Sequence, residues 1–241
     1  MKFTSYIAML ATAAALSACD EGNIYPETSG IDRGGATAKF VGYIANADSW
    51  PSQYTLSIAA FSDESDYAKT AKNISVDDDG YASVTLTGID VSYATVEVCV
   101  ISKLRARVYT FLSVELSEYQ EGDTICFEPS EAIETDMFDC VQSVVFENNC
   151  TCCHGGSGYY AGDLNLTEGN SYSALVNVVS TRDADGAILV VPSYPDSSYL
   201  YRVICGEEDE VLGMTHYDIL SNDYVATQLV KNWISAGAVD N

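Results

Sequence analysis

Residues 95–101 read Thr-Val-Glu-Val-Cys-Val-Ile, and residues 107–114 read Arg-Val-Tyr-Thr-Phe-Leu-Ser-Val. Both stretches are rich in β-branched and aromatic residues, a composition typical of β-strands. Comparable runs occur at 37–44, 54–61, 69–76, 81–86 and 124–127. Seven short strands at this spacing predict an all-β antiparallel sandwich over residues 36–130, of the immunoglobulin-like or transthyretin-like kind.

The sequence Asp77-Asp78-Asp79-Gly80 lies between the third and fourth predicted strands. Three acidic residues followed by glycine resemble part of a calcium-binding loop. An Asp-Gly hairpin turn explains the same residues with fewer assumptions, because it needs no further ligands. We therefore predict a turn at this position.

The pattern changes after Glu128-Pro129-Ser130. Residues 137–146 have helical spacing, and few alternating runs follow them. Residues 222–236 place Val225, Leu229, Val230 and Trp233 on one helical face, with Ser221 or Asn222 as the candidate N-cap. These features predict a second, all-α domain over residues 131–241.

The composition restricts the classes of partner. The chain has 241 residues, of which 47% are hydrophobic, which is enough for a folded core. Asp and Glu outnumber Lys and Arg by 35 to 11, and the formal net charge is −24. Because the basic residues are scattered, this surface repels nucleic acid, and we expect no nucleic-acid partner. An electrostatically steered protein partner is expected to be basic.

The N-terminus has the features of an export signal. Met1-Lys2 is followed by an apolar, small-residue stretch from Tyr6 to Leu16. The next residues, Leu16-Ser17-Ala18-Cys19, resemble the lipobox of bacterial lipoproteins, in which the signal peptidase cleaves before the cysteine and a lipid is attached to its sulfur. The resemblance implies a signal peptide over residues 1–18 and a lipidated Cys19.

The residues after Cys19 give the expected location. Residues 19–35 are rich in Asp, Glu, Asn, Ser, Thr and Gly, which predicts a flexible tether. Asp20-Glu21 resembles the acidic export signals of some Bacteroidetes lipoproteins. We therefore expect a chain anchored by lipid in the bacterial cell envelope, at the outer membrane, with its periplasmic or surface orientation left open. Disulfides persist in that compartment.

Residues 150–154 read Cys-Thr-Cys-Cys-His, so Cys150, Cys153 and His154 form the C-x-x-C-H signature of c-type haem attachment. Two thiols three residues apart on a helix can each add to one porphyrin vinyl group, and the adjacent imidazole can bind the iron. With 8 Cys and 2 His, a chance match is expected roughly 0.002 times per chain of this composition. A zinc site or a thioredoxin-like site would need a second ligand pair or a βαβ setting, and neither is present in the sequence.

The residues around this motif resemble the haem-binding start of monohaem class I cytochrome c domains, especially those similar to planctomycete-type cytochromes. The resemblance begins at Phe146-Glu147-Asn148-Asn149-Cys150. It continues at 162–166, 172–176, 191–200 and 233–238. It implies an all-α cytochrome c fold, one covalently bound haem c and His154 as the proximal iron ligand. In similar cytochromes a proline-containing loop beside the haem also offers a carbonyl to the proximal imidazole. Pro192 lies in the matching stretch, where a plain turn is an equal alternative.

The resemblance implies a methionine as the second iron ligand, and Met214 occupies the matching position. The sequence Met214-Thr215-His216 departs from the family pattern, because it lacks the usual proline and offers an imidazole two residues away. His216 is therefore an alternative ligand, and an open iron position is a third possibility. A thioether ligand gives a higher haem potential than a second imidazole does.

Five cysteines remain after the lipid and haem sites are assigned. Cys99 and Cys126 lie in two predicted strands and form a candidate disulfide. Cys140, Cys152 and Cys205 belong to the C-terminal part, where an odd number cannot pair completely. The sequence alone leaves their connectivity open.

The expected function is single-electron transfer by a membrane-anchored monohaem c-type cytochrome lipoprotein. No paired carboxylates, Ser-His-Asp set or phosphate-binding loop indicates an enzyme. The expected partners are the membrane, through the lipid anchor, and a redox protein. Two alternatives stay open: a surface binding or assembly module whose haem part is accessory or a redox sensor, and a peroxidase-like enzyme with an open iron position.

Overall fold

The structure is a computed structural model that describes residues 34–156, 158, 160–182, 185–207 and 215–240. The predicted signal peptide, Cys19 and the tether up to residue 33 lie outside the described residues, and so does Met214. In the part of the chain that is described, no helix is long and apolar enough to cross a membrane.

Two sheets form the first part of the described chain. The strands are β1 (Ala36–Ala45), β2 (Tyr54–Ser62), β3 (Ser65–Asn73), β4 (Tyr81–Ile89), β5 (Thr95–Ser102), β6 (Arg107–Glu115), β7 (Thr124–Phe127) and β8 (Ile133–Glu134). One sheet has the order β3-β2-β5-β6 and is antiparallel throughout. The other has the order β4-β1-β7, with β8 also paired to β1. Because β7 and β8 run parallel to β1, this second sheet is mixed, which corrects the expectation of a purely antiparallel sandwich.

The alternation of side chains along each strand positions the core. In β5, Val96, Val98 and Val100 face the other sheet and belong to the main hydrophobic core, whereas Cys99 and Ile101 lie on the opposite face. Successive side chains of a strand point to opposite faces, so this division follows from the period of two. The opposite face is also buried, because Phe61 and its neighbours form a second, smaller cluster there.

Helices follow the last strand. They are α1 (Met137–Val141), α2 (Thr151–His154), α3 (Ser171–Leu175), α4 (Tyr199–Ile204), α5 (His216–Leu220) and α6 (Tyr224–Ser235). A π-helical segment, Gln142–Cys150, joins α1 to α2. Asp136 begins this combined helix, since its side chain accepts hydrogen bonds from the backbone N–H groups of Phe138 and Asp139 at 2.7 and 3.3 Å.

The prediction of an all-α cytochrome c fold for the C-terminal part is wrong. Apart from α6, the described α-helices have four to six residues each, and isolated β-bridges pair Val176 with Val190 and Val179 with Ile188. The helices predicted from the spacing at 137–146 and 222–236 are present, as α1 with the π-helical segment and as α6. Between them lie loops with many Gly and Ser residues, which end short helices early.

The helices also do not enclose a core of their own. Phe138, Phe146 and Trp233 belong to the same hydrophobic core as Phe40 and Ile58 of the sheets. Polar contacts cross the same junction. Asn232 Nδ2 of α6 donates to the hydroxyl of Tyr54 in β2 at 2.9 Å, and Trp50 Nε1 donates to the carbonyl of Thr135 at 2.6 Å. Residues 34–241 therefore form one compact unit.

The candidate haem-attachment site

The C-x-x-C-H residues lie at the end of the long bent helix that starts at α1. Cys150 is the last residue of the π-helical segment, and Cys153 and His154 form the end of α2. A π-helix has a wider turn than an α-helix, and such segments recur at functional sites. Its wider turn is visible in the backbone N–H of Thr151, which donates to the carbonyl of Phe146, five residues earlier.

Glycine is required directly after the motif. A Cβ atom added to Gly155 would lie 2.7 Å from the backbone oxygen of Thr151 and 2.8 Å from its Cβ. Contacts of this length do not occur for real side chains, so any larger residue would displace the end of α2. The glycine thus lets the chain leave the helix immediately after His154.

The thiols of the motif differ in their surroundings. Cys150 is half-buried, and burial, with smaller contributions from Cys152 and Cys153, raises the pKa of its thiol to about 12. Cys153 is exposed, and a contact with the Cys152 sulfur at 3.8 Å raises the pKa of the Cys153 thiol. Neither Cys150 nor Cys153 forms a disulfide. Addition to a vinyl group requires thiols that are not committed to a disulfide, and neither sulfur is paired in this structure.

His154 is held by its surroundings in one orientation. Its Nδ1 atom lies 3.2 Å from the carbonyl oxygen of Leu164, and its own carbonyl accepts a hydrogen bond from the N–H of Leu166 at 2.9 Å. A carbonyl oxygen can only accept, so the proton of the neutral ring lies on Nδ1 and the lone pair lies on Nε2. Metal-binding histidines commonly donate their other N–H to a backbone carbonyl in this way.

Burial lowers the pKa of His154, and His216 lowers it further, whereas the carbonyls of Leu164 and Ala161 act in the opposite direction. The lowered pKa favours the neutral imidazole at neutral pH. Only the neutral ring has a lone pair for a metal.

A second imidazole lies beside the first. The ring centres of His154 and His216 are 6.1 Å apart, and their planes are inclined by 30°. His216 is the first residue of α5. The start of this helix is fixed by a capping box, in which the Thr215 hydroxyl accepts from the N–H of Asp218 at 3.3 Å and the Asp218 carboxylate accepts from the N–H of Thr215 at 3.2 Å.

The residues of the motif do not form a zinc site. Ligand atoms of a tetrahedral site lie close together, since each is about 2.0–2.3 Å from the metal. In the described part of the chain, one set of three potential ligand atoms lies within 4.8 Å of one another, and it consists of Asp136, Asp139 and Asp240. Cys150, Cys153 and the two histidines are not part of such a set.

The structure does not support the Cys99–Cys126 disulfide. Cys99 is buried in the smaller cluster on the outer face of one sheet, and Cys126 is exposed on β7 of the other. Both cysteines therefore point away from the space between the sheets. Val98 and Ile125, their neighbours in sequence, point into it. None of the described cysteines is paired.

The sequence did not identify two features of this site. The resemblance suggested a carbonyl of the Pro192 loop as a partner of the proximal histidine, with a plain turn as the equal alternative, whereas the carbonyl that contacts His154 belongs to Leu164. The sequence offered His216 as an alternative iron ligand to Met214, but it did not indicate how close the His154 and His216 rings lie, at 6.1 Å between ring centres. Comparisons of the chain with protein-family models, curated proteins and solved structures found no match.

Proposed function

We propose that the chain carries one haem c, attached through Cys150 and Cys153 with His154 as an iron ligand, and that it transfers single electrons. The observation that carries the proposal is the orientation of His154 directly after two unpaired thiols. Its Nδ1–H donates to the Leu164 carbonyl, which leaves the lone pair of the neutral ring on Nε2. A haem iron held there would supply one-electron chemistry by alternating between its ferric and ferrous states.

Attachment of the haem needs no reactant besides the two thiols and the two vinyl groups. Each thiol adds its S–H across one vinyl double bond, so that a C–S bond forms and the hydrogen moves to the neighbouring carbon. The step needs reduced sulfur and consumes no oxidant. The unpaired state of Cys150 and Cys153 meets this requirement.

Covalent haem is tested by expressing the chain in bacteria equipped for cytochrome c maturation. The wild-type chain should retain haem after denaturation and give the pyridine haemochrome spectrum of two thioether bonds. Cys150→Ala and Cys153→Ala should each shift that spectrum to the single-thioether form, and the double variant should lose covalent haem. Cys152→Ala is the matched control, because it lies between the two thiols and should behave as the wild type does.

Electron transfer is tested on the purified holoprotein. A redox titration should show reversible reduction with the slope of a one-electron couple. Rapid turnover with peroxide, together with a high-spin ferric spectrum, would instead indicate the peroxidase-like alternative. Absence of covalent haem, in cells that mature a control cytochrome, would contradict the proposal as a whole.

The proposed place of action is the bacterial envelope, with the chain anchored through Cys19. The support is the signal-like N-terminus and its lipobox resemblance, both outside the described residues. Feeding of labelled palmitate should label the wild-type chain, and Cys19→Ser should abolish the label. A label that persists in Cys19→Ser would contradict the anchor.

The proposed redox partner has a basic docking surface, since the net charge of the chain is −24. Charge steering accelerates association at low ionic strength and is screened over about 8–10 Å at physiological salt. Electron exchange should therefore be faster with a basic small redox protein than with an acidic one, and the difference should shrink as salt increases. Equal rates at low salt would contradict this part of the proposal.

A further inference from the structure

The position of His216 bears on which residue binds the second axial position of the proposed haem iron. We propose that His216, rather than Met214, is this ligand, so that the iron is held by two imidazoles. The inference rests on the proposed haem attachment. It goes beyond the proposed attachment because it names the second ligand of the iron. That ligand determines the spin state of the iron and whether its reduction potential is high or low.

The spacing of the two rings is the main observation. An imidazole nitrogen lies about 1.1 Å from its ring centre and bonds a metal at about 2.0 Å, so two imidazoles on opposite sides of one metal have ring centres about 6.2 Å apart. The ring centres of His154 and His216 are 6.1 Å apart. The two residues are already separated by the distance that a shared iron requires.

The secondary structure supports this arrangement from both sides. His154 ends α2 and is oriented by the Leu164 carbonyl, and His216 begins α5, whose first turn is held by the Thr215–Asp218 capping box. Each ring therefore projects from a helix end that has its own hydrogen bonds. Both residues are half-buried, which leaves part of each ring accessible to a ligand.

Two imidazoles have definite consequences for the site. Both axial positions are then filled by strong nitrogen ligands, which leaves no open position for peroxide. Replacement of a thioether by an imidazole also lowers the reduction potential. The proposal thus predicts a low-spin, six-coordinate haem with a lower potential than a His–Met cytochrome, suited to exchange with low-potential partners.

The test compares four forms of the holoprotein: the wild type, His216→Ala, Met214→Leu and Tyr217→Phe. Covalent haem content is measured first by pyridine haemochrome, and the ferric iron is then examined by electron paramagnetic resonance and near-infrared magnetic circular dichroism. Tyr217→Phe is the matched control, because Tyr217 is the exposed neighbour of His216 on α5.

We expect the wild type and Met214→Leu to show the bis-imidazole signature. His216→Ala should lose the low-spin signal, and its measured potential should change, while it keeps covalent haem. Added free imidazole should restore the low-spin signal of His216→Ala, which separates lost ligation from misfolding.

Three outcomes would overturn the proposal. A thioether charge-transfer band in the wild type that disappears in Met214→Leu would assign the ligand to Met214. A high-spin ferric wild type would indicate an open iron. A low-spin signal that persists unchanged in His216→Ala would indicate another ligand. In each case covalent haem would still be present, so the proposed haem attachment would stand; absence of covalent haem would overturn both.

Discussion

Glu97 and Asp66 both contact Arg107, in contrasting surroundings. Glu97 is 3% exposed, and its carboxylate accepts from Arg107 at 2.9 Å and from the hydroxyls of Thr95 and Thr110 at 2.7 Å each. The Asp66 side chain is 82% exposed and lies 3.4 Å from Arg107. The Arg107 guanidinium carbon also lies 4.1 Å from the centre of the Phe61 ring, which belongs to the smaller hydrophobic cluster. Glu97 therefore holds in place the side chain that covers this cluster.

This contrast gives a prediction for stability. Glu97→Gln should lower the free energy of unfolding by about 1–3 kcal/mol, because the buried network loses its negative charge and one of the two oxygens that accept its hydrogen bonds. Asp66→Asn is the matched control and should change it by no more than about 0.5 kcal/mol, since exposed ion pairs contribute little. Urea denaturation of both variants measures the difference. Equal effects would show that burial of Glu97 does not determine its contribution.

Asp139 illustrates charge repulsion at the start of α1. Its carboxylate lies within 4.8 Å of those of Asp136 and Asp240, and desolvation, followed by repulsion from these two groups, raises the pKa of Asp139 from its ordinary value of 3.8. A raised carboxyl pKa means that the ionised form is disfavoured in the folded state. The resulting cost is fully present above the folded pKa and disappears as the pH falls through it toward the unfolded value.

Asp139→Asn should therefore stabilise the protein at neutral pH. Because the residue is exposed, solvent screening limits the gain to about 0.5 kcal/mol, and the gain should decrease with added salt. Thermal unfolding should show the gain at pH 7 and its loss near pH 4. Asp78→Asn, in the exposed turn before β4, is the control for the removal of one negative charge from the surface. A gain at pH 7 that persists at acid pH would contradict the repulsion argument.

At the scale of elements, the sequence predicted the strands well and the helix ends less well. The predicted strand at 54–61 is β2 (Tyr54–Ser62), and that at 124–127 is β7, because runs of β-branched residues bounded by turn residues are a local signal. A turn is present at Asp77–Gly80, with the N–H groups of Asp79 and Tyr81 donating to the Asp77 carboxylate. It is not a hairpin turn, because β3 and β4 belong to different sheets and do not pair. The third strand lies further upstream than predicted, at Ser65–Asn73.

Other features could not be predicted, because they depend on contacts between distant residues. The parallel pairing of β1 with β7 joins residues more than 80 positions apart, and nothing in either strand indicates its direction. The sharing of one core by strands and helices is likewise a property of tertiary packing. In the candidate site, the cysteines and His154 were evident from their spacing. The Leu164 carbonyl was not, because every residue carries a carbonyl group.

The start of α6 depends on its N-cap residue. The sequence suggested Ser221 or Asn222 as the N-cap, but the structure assigns Asp223, whose carboxylate accepts from the N–H of Ala226 at 2.8 Å. Asp223→Ala should cost about 1 kcal/mol, because that N–H loses its acceptor. Asn222→Ala is the control, one residue earlier, and should be nearly neutral. If Asn222→Ala proved the more destabilising of the two, the assignment of the cap would be wrong.

At the scale of the whole molecule, the main feature is the continuity of the core between strands and helices. Trp233 of α6 is 1% exposed and packs on Phe138 with ring centres 5.0 Å apart, and both belong to the core that includes Phe40 of β1. The fluorescence of the two tryptophans reports on the strands and on the helices separately. Trp50 lies between β1 and β2, and Trp233 lies in α6.

A shared core predicts a single cooperative unfolding transition. In Trp50→Phe, fluorescence reports the helical part through Trp233, whereas far-UV circular dichroism reports the strands and helices together. The two signals should give the same midpoint and the same slope in urea, because unfolding of the helices would expose the apolar face of the sheets. Two independent domains would instead give separate midpoints, with α6 unfolding before the sheets. Separate midpoints in both the apoprotein and the holoprotein would show that the strands have a sufficient core without α6, contrary to the packing of Trp233.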